Sequence, residues 1–286
     1  MKIIKHFFEF IFIVLLFFIF KIVGYKNASN FGKFIGKKFG HFFRSNEKIE
    51  KNLAKLSFGN SKIDRKAIIN SMWGNYGRIL AEYIYIKKFR QTYLSNNINI
   101  IGQEILDKIK KENKPVVFIS GHFNNFELMA MQLEKSGIDL AAIYRPLNNK
   151  FLNPIMESIR RNYICKKQVK KGISGTKEIL NFFKSGTSIA LMIDQRVSEG
   201  IECNFFNHKA LTTTIPAQFV KKFNCEIVPV YIERKKKYYF SIEIFKPLKF
   251  SPSEKTEIIT SELNKILEKM ILKNPDQWIW THDRWK

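Results

Sequence analysis

Apolar residues follow three rhythms along this chain, and each predicts a kind of element. The first is a near-continuous run. Phe7 to Val23 reads FFEFIFIVLLFFIFKIV and is broken only by Glu9 and Lys21. Its clean part, Phe10–Phe20, covers roughly 16 Å as a helix, whereas a bilayer span takes about 20 residues. With Lys21 snorkelling to the surface, the whole stretch becomes marginally long enough. The second rhythm is helical. In residues 30–43 the apolar set is Phe31, Phe34, Ile35, Phe39, Phe42 and Phe43, which fits one helical face, with Lys33, Lys37 and Lys38 off it. Gly32, Gly36 and Gly40 weaken this helix. A basic amphipathic helix of this kind lies on an anionic membrane surface. A cleaved signal peptide and a buried helix pair are the rival readings. No Ala-x-Ala cleavage site stands near Tyr25, which argues against the signal peptide. More lysines follow the apolar run than precede it, so the larger C-terminal part is expected in the cytoplasm.

The third rhythm is an alternation of short apolar runs with helical periods. It predicts helices over Ile63–Phe89, Ile105–Lys111, Phe126–Glu134, Asn153–Arg161, Thr176–Lys184 and Pro216–Lys222. Strands are expected at Val116–Ser120, Leu140–Tyr144, Ser188–Ile193, Ile227–Ile232 and Tyr238–Ile244. Ser251-Pro252-Ser253-Glu254 reads as a capping box opening a last helix, whose inner face is Ile259, Leu263, Ile266 and Met270 and whose end is marked by Pro275. Strands alternating with helices make an α/β domain with a largely parallel or mixed sheet. No internal repeat or low-complexity linker divides the chain after residue 45. The expected organisation is therefore an N-terminal anchor and interfacial helix over 1–45 and one domain over 46–286.

Composition narrows the function. At 286 residues with 45% apolar content, the chain can bury a sizeable core. Cys165, Cys203 and Cys225 have no CxxC spacing, which excludes a zinc ribbon and a disulfide scaffold. A formal charge of +24 predicts an acidic partner: nucleic acid, anionic lipid or an acidic protein. The apolar N-terminus and the lack of a nucleic-acid-binding motif argue against the first.

The sharpest local feature is Ser120-Gly121-His122-Phe123-Asn124-Asn125-Phe126-Glu127, which follows a buried strand and opens a helix. On one regular helix, positions five apart point about 140° away from each other. The spacing makes sense if His122 sits in the strand–helix turn and Glu127 in the first helical turn, where its carboxylate fixes the imidazole tautomer. With no serine or cysteine nucleophile nearby, such a pair suggests a base acting directly on a substrate hydroxyl. A histidine serving only as a turn or capping residue is the alternative. His6, His41, His208 and His282 show no ligand-type spacing, so no metal site is expected.

The Gly-His-Phe-Asn-Asn-Phe-Glu turn resembles the HxxxxD/E acyltransferase motif, in the form found in the late (secondary) acyltransferases of lipid A biosynthesis. Four further blocks resemble that family in order: Tyr144-Arg145-Pro146; Met192-Ile193-Asp194-Gln195; Phe205-Phe206-Asn207 with Thr212-Thr213-Thr214; and the tail Pro275 to Trp285 with its Trp, His and Arg. Two departures are Asn207, where the family usually has Gly, and Asp283, where a basic residue is common. The resemblance implies a fold like that of glycerol-phosphate acyltransferases. It implies acyl transfer from an acyl carrier protein thioester to a hydroxyl of a lipid A precursor, without cofactor or covalent acyl-enzyme, at the inner membrane. His122 is then the base and Glu127 its orienting partner. Arg145 becomes a clamp for a substrate phosphate, with a structural salt bridge as the alternative; Arg160 and Arg161 share the clamp or face solvent, while Asp194 and Gln195 shape the site. The tryptophan-rich tail packs as a lid, at the membrane interface or in the core. Another glycolipid, a glycerol phosphate or a lysophospholipid are the alternative acceptors; the last two are disfavoured because that class usually ends its motif in Asp.

Overall fold

The computed structural model describes residues 2–56 and 64–286. Its first element, α1 (Lys2–Phe39), is a long helix bent at Gly24, whose φ of 78° only glycine adopts freely. Before the bend most side chains are exposed, among them Phe8, Phe12, Leu15, Phe18 and Ile22, while Leu16 and Phe20 are buried. The helix is long and apolar enough to cross a membrane. After the bend it lies against α3 (Arg65–Tyr83). The three glycines read above as weakening the helix are what lets it do so. A Cβ on Gly32 would stand 2.3 Å from the Gly77 carbonyl oxygen, and one on Gly36 would stand 2.1 Å from that of Trp73. Only a bare backbone permits such an approach.

The chain continues through α2 (Asn46–Leu53) and, after α3, α4 (Ile86–Gln91) and β1 (Ile98–Ile101). Then come α5 (Gln103–Glu112), β2 (Val117–Ser120), α6 (Glu127–Lys135), β3 (Leu140–Tyr144), α7 (Leu152–Ile159), β4 (Lys167–Lys170), α8 (Ile173–Lys184) and β5 (Ser188–Met192). A hairpin, β6 (Ile201–Phe205) and β7 (His208–Thr212), precedes α9 (Ile215–Phe223), β8 (Ile227–Lys236), β9 (Tyr239–Ile244) and α10 (Thr256–Lys273). Seven strands form one sheet in the order β1-β9-β8-β2-β5-β3-β4, parallel except for the β8–β9 pair. The mixed, largely parallel α/β architecture expected from the sequence is therefore the observed one.

Differences from the sequence reading have local causes. The helix expected over Ile63–Phe89 is two helices broken near Ile84; its first residue lies outside the described ones. Asp64 caps α3 by accepting from the Ala67 amide. The capping box does not form: α10 begins at Thr256 after a turn in which Ser251 bonds Ser253, and no side chain caps it. The edge strand β4, Lys-Gln-Val-Lys, has one apolar residue and left no signal. The helix at 153–161 stops at Ile159 and widens into a π turn, Arg160–Ile164.

Candidate active site

Loops following the carboxyl ends of adjacent parallel strands converge on one opening, the usual place for a ligand in such a sheet. His122 follows β2, Asp194 and Gln195 follow β5, and Arg145 follows β3. All but Asp194 line a cavity of about 320 Å³. Its interior is apolar. Ser120 bonds Met129, so the face of the sheet carrying Ser120 looks at α6. That face also carries Phe118, and Ala190 stands in register with both Phe118 and Ala142. Opposite them α6 presents Met129, Ala130 and Leu133. Two alanines side by side on the sheet, facing a third on the helix, leave a slot between the layers.

The partner of His122 differs from the one the motif suggests. Its Nδ1 lies 2.8 Å from Asp194 Oδ1, and its backbone N–H donates to Asp194 Oδ2 at 2.7 Å. Trp278 Nε1 donates to the same Oδ2 at 2.8 Å. Burial opposes the charge of Asp194, but the imidazole and these three hydrogen bonds outweigh it and bring its pKa down to about 2. An ionised acceptor at Nδ1 fixes the proton there and leaves the Nε2 lone pair toward the cavity. The edge of His122 also rests on Phe126, ring centroids 4.8 Å apart.

Glu127 instead holds Arg160. Its Oε1 accepts from Arg160 Nε at 2.9 Å and Nη2 at 2.6 Å, with the Tyr83 hydroxyl 3.5 Å away. Burial works against the guanidinium charge, yet Glu127 outweighs it and raises the pKa. Arg160 Nη1 is buried without a hydrogen-bond partner among the described residues, and its side chain lines the cavity. The π turn aims it there: an ordinary helix would continue past it, and such bulges often mark functional positions. Arg145 is exposed at the mouth and makes no ion pair among the described residues, whereas Arg161 is exposed and does not line the cavity.

The tail is core, not lid. Trp278 and Trp280 are among the most buried side chains. Arg284 is fully buried over the Phe205 ring and donates to Leu211 O and Thr212 Oγ1, tying the tail to the β6–β7 hairpin. Asp283 pairs with Lys48. Asn207 sits in that hairpin's turn at φ 60°, a left-handed conformation Asn shares with Gly. His282 is the site residue sequence reasoning passed over. Its Nε2 lies 2.6 Å from Gln195 Nε2 at the mouth of the cavity, and its only sequence signal was the block it belongs to. No group of three or more His, Cys, Asp or Glu residues that could hold a metal occurs among the described residues.

A family model, that of the bacterial lipid A biosynthesis acyltransferases, matches residues 1–286. The chain belongs to this family. Among curated relatives, it is 25% identical over 185 residues to lipid A biosynthesis acyltransferase 2 of Shigella flexneri, covering 63% of this chain and 58% of that protein's length. It is 22% identical over 262 residues to the lipid A biosynthesis palmitoleoyltransferase of Escherichia coli (strain K12), covering 88% and 84%. The lauroyltransferase of the same organism is 22% identical over 260 residues, covering 88% and 83%. Membership agrees with the ordered blocks read in the sequence, and those blocks are the segments that build the opening described above.

Proposed function

We propose that this lipid A biosynthesis acyltransferase transfers a fatty acyl chain from an acyl carrier protein thioester to a hydroxyl of a lipid A precursor. The reading is carried by one observation: His122, held at Nδ1 by Asp194, stands at the mouth of an apolar slot. His122 Nε2 takes the proton of the acceptor hydroxyl as its oxygen attacks the thioester carbonyl carbon. The tetrahedral intermediate then expels the thiolate, which takes the proton back from the imidazolium. Asp194 stabilises that imidazolium and keeps the tautomer. Glu127 acts through Arg160, holding a guanidinium whose free Nη1 borders the acyl slot. Arg145, exposed and without an ion pair among the described residues, receives a phosphate of the acceptor, which a planar guanidinium binds bidentately.

The apolar half of α1 before Gly24 is the membrane anchor, and the exposed Phe34, Phe42 and Phe43 with Lys33, Lys37 and Lys38 rest on anionic lipid. The catalytic domain then lies at the cytoplasmic side of a bacterial inner membrane, where the basic surface also meets the acidic carrier protein. The decisive test assays purified His122→Ala with a carrier protein thioester and lipid A precursor. A general base typically contributes about 10²–10⁴-fold. Near-normal turnover by this variant refutes the mechanism.

A further inference from the structure

Acyl transfer through a tetrahedral intermediate puts negative charge on the former carbonyl oxygen, and some donor must meet it. The turn bearing His122 has no backbone donor left from residue 122 to residue 125. The N–H of His122 goes to Asp194, that of Phe123 to Gly121 O, that of Asn124 to Gln277 O, and that of Asn125 to Asn124 Oδ1. One side-chain donor stands beside the base. Gln195 Nε2 is 3.3 Å from His122 Nε2 and 2.6 Å from His282 Nε2. The same nitrogen is 3.4 Å from His122 Nδ1, so the amide lies against the imidazole ring rather than in line with the Nε2 lone pair, while one amide hydrogen goes to His282.

We propose that the Gln195 side-chain amide is the oxyanion donor of the transfer, and that His282 is the positioning residue that aims it. The inference rests on the reading of His122 as the base. In the resting site the amide packs against the His122 ring, which leaves the Nε2 lone pair to the incoming hydroxyl. The amide hydrogen not held by His282 then stands beside the reacting centre, where a developing oxyanion accepts from it. As the C–O bond forms, the carbonyl π pair moves onto oxygen and accepts from Gln195. When the C–S bond breaks, the carbonyl is restored and the thiolate leaves with the proton from His122. His282 stays fixed throughout. Its carbonyl accepts from Asn52 and from the Arg284 amide. Burial and the nearby His122, Arg44 and Arg145 lower its pKa against the opposing Asp194, which favours the neutral imidazole that can accept from the amide.

The test uses the full chain in detergent, with a dodecanoyl carrier protein thioester as donor and lipid A precursor as acceptor. Gln195→Met keeps the volume and removes the donor; it is expected to lower kcat by about 10²–10³-fold with both KM values within about 3-fold of wild type. His282→Leu, which leaves the amide unaimed, is expected to lose about 2- to 12-fold in kcat, the range for one neutral hydrogen bond. His282→Gln, which restores an acceptor oxygen, recovers part of it. Melting temperatures of the three variants identify any loss that comes from unfolding, and kcat is compared between variants of equal stability. If His122→Ala is inactive while Gln195→Met keeps its kcat or changes only KM, the oxyanion assignment is wrong and the base assignment stands. If His122→Ala is active, the underlying mechanism fails first. Equal losses in His282→Leu and His282→Gln overturn the positioning role.

Discussion

Ala130 stands on the face of α6 that closes the acyl slot over Ala142 and Ala190. It lies three residues beyond Glu127, about 4.5 Å further along the helix. Replacing it with Leu adds three carbons inside the slot while keeping a strong helix former. Three carbons occupy the length of about two to three chain methylenes, so the longest acyl chain that fits should shorten by one two-carbon step. Each methylene left unburied forfeits about 0.8 kcal/mol, hence about 1.6 kcal/mol for a step, or about 15-fold in kcat/KM. Overpacking is expected to cost about 1–3 kcal/mol of stability, a loss that melting curves measure separately. The assay offers the purified variant an equimolar mixture of carrier protein thioesters of graded chain length and weighs the products by mass spectrometry. The product distribution should move toward the shorter chain by roughly this factor. A folded Ala130→Leu enzyme that loses rate equally for every chain length refutes the slot as the seat of the acyl chain.

Three further outcomes follow from the site. Asp194→Asn should lower kcat by about 10²–10⁴-fold in steady-state assays, because an amide facing Nδ1 no longer fixes the tautomer or balances the imidazolium; an unchanged kcat removes Asp194 from the mechanism. Glu127→Gln should also lower the melting temperature, since unpairing the largely buried Arg160 costs up to about 3–5 kcal/mol, and Glu127→Gln with Arg160→Met should regain stability without activity. Arg145→Ala should raise the acceptor KM with the donor saturating, by about 10- to 150-fold for a lost charged hydrogen bond, with Arg145→Lys intermediate; equal damage to both substrates argues for a structural role. Deleting residues 1–23 should weaken membrane association and lower the melting temperature, because buried Leu16 and Phe20 go with it, while secondary structure persists, measured by fractionation and circular dichroism. Deleting 1–45 should unfold it, because Ser29 bonds buried Glu82 and Gly32 and Gly36 pack on α3.

That last contrast bears on what the sequence disclosed. The central parallel strands β2, β3, β5 and β8 and the helices between them were legible because burial leaves runs such as Val-Phe-Ile-Ser and periods such as those of α8, whereas β1, β4 and the β6–β7 hairpin were not. The placement of His122, Gln195 and Arg145 at one opening was legible too, since each follows a strand. The partner of His122 was not. Spacing along the chain ties Glu127 to the same turn, but Asp194 reaches the imidazole across the sheet from β5, 72 residues away, and tertiary pairing of that kind leaves no periodic trace. Nor was the boundary near residue 45 visible as packing. The second half of α1 reads as a surface helix because its phenylalanines are exposed, yet its glycine edge is what joins it to α3.

The tail's place in the core has a consequence in time. Synthesis runs from α1 toward residue 286, so the apolar helix emerges before any strand of the sheet exists. Trp278, which completes the hydrogen bonds to Asp194, and His282, which touches Gln195, emerge after all of them. Throughout translation the growing chain therefore holds a lipid-seeking segment and an unfinished histidine site. The hydrogen bonds that orient Asp194 and Gln195 thus form only after the apolar helix and every strand of the sheet have been made.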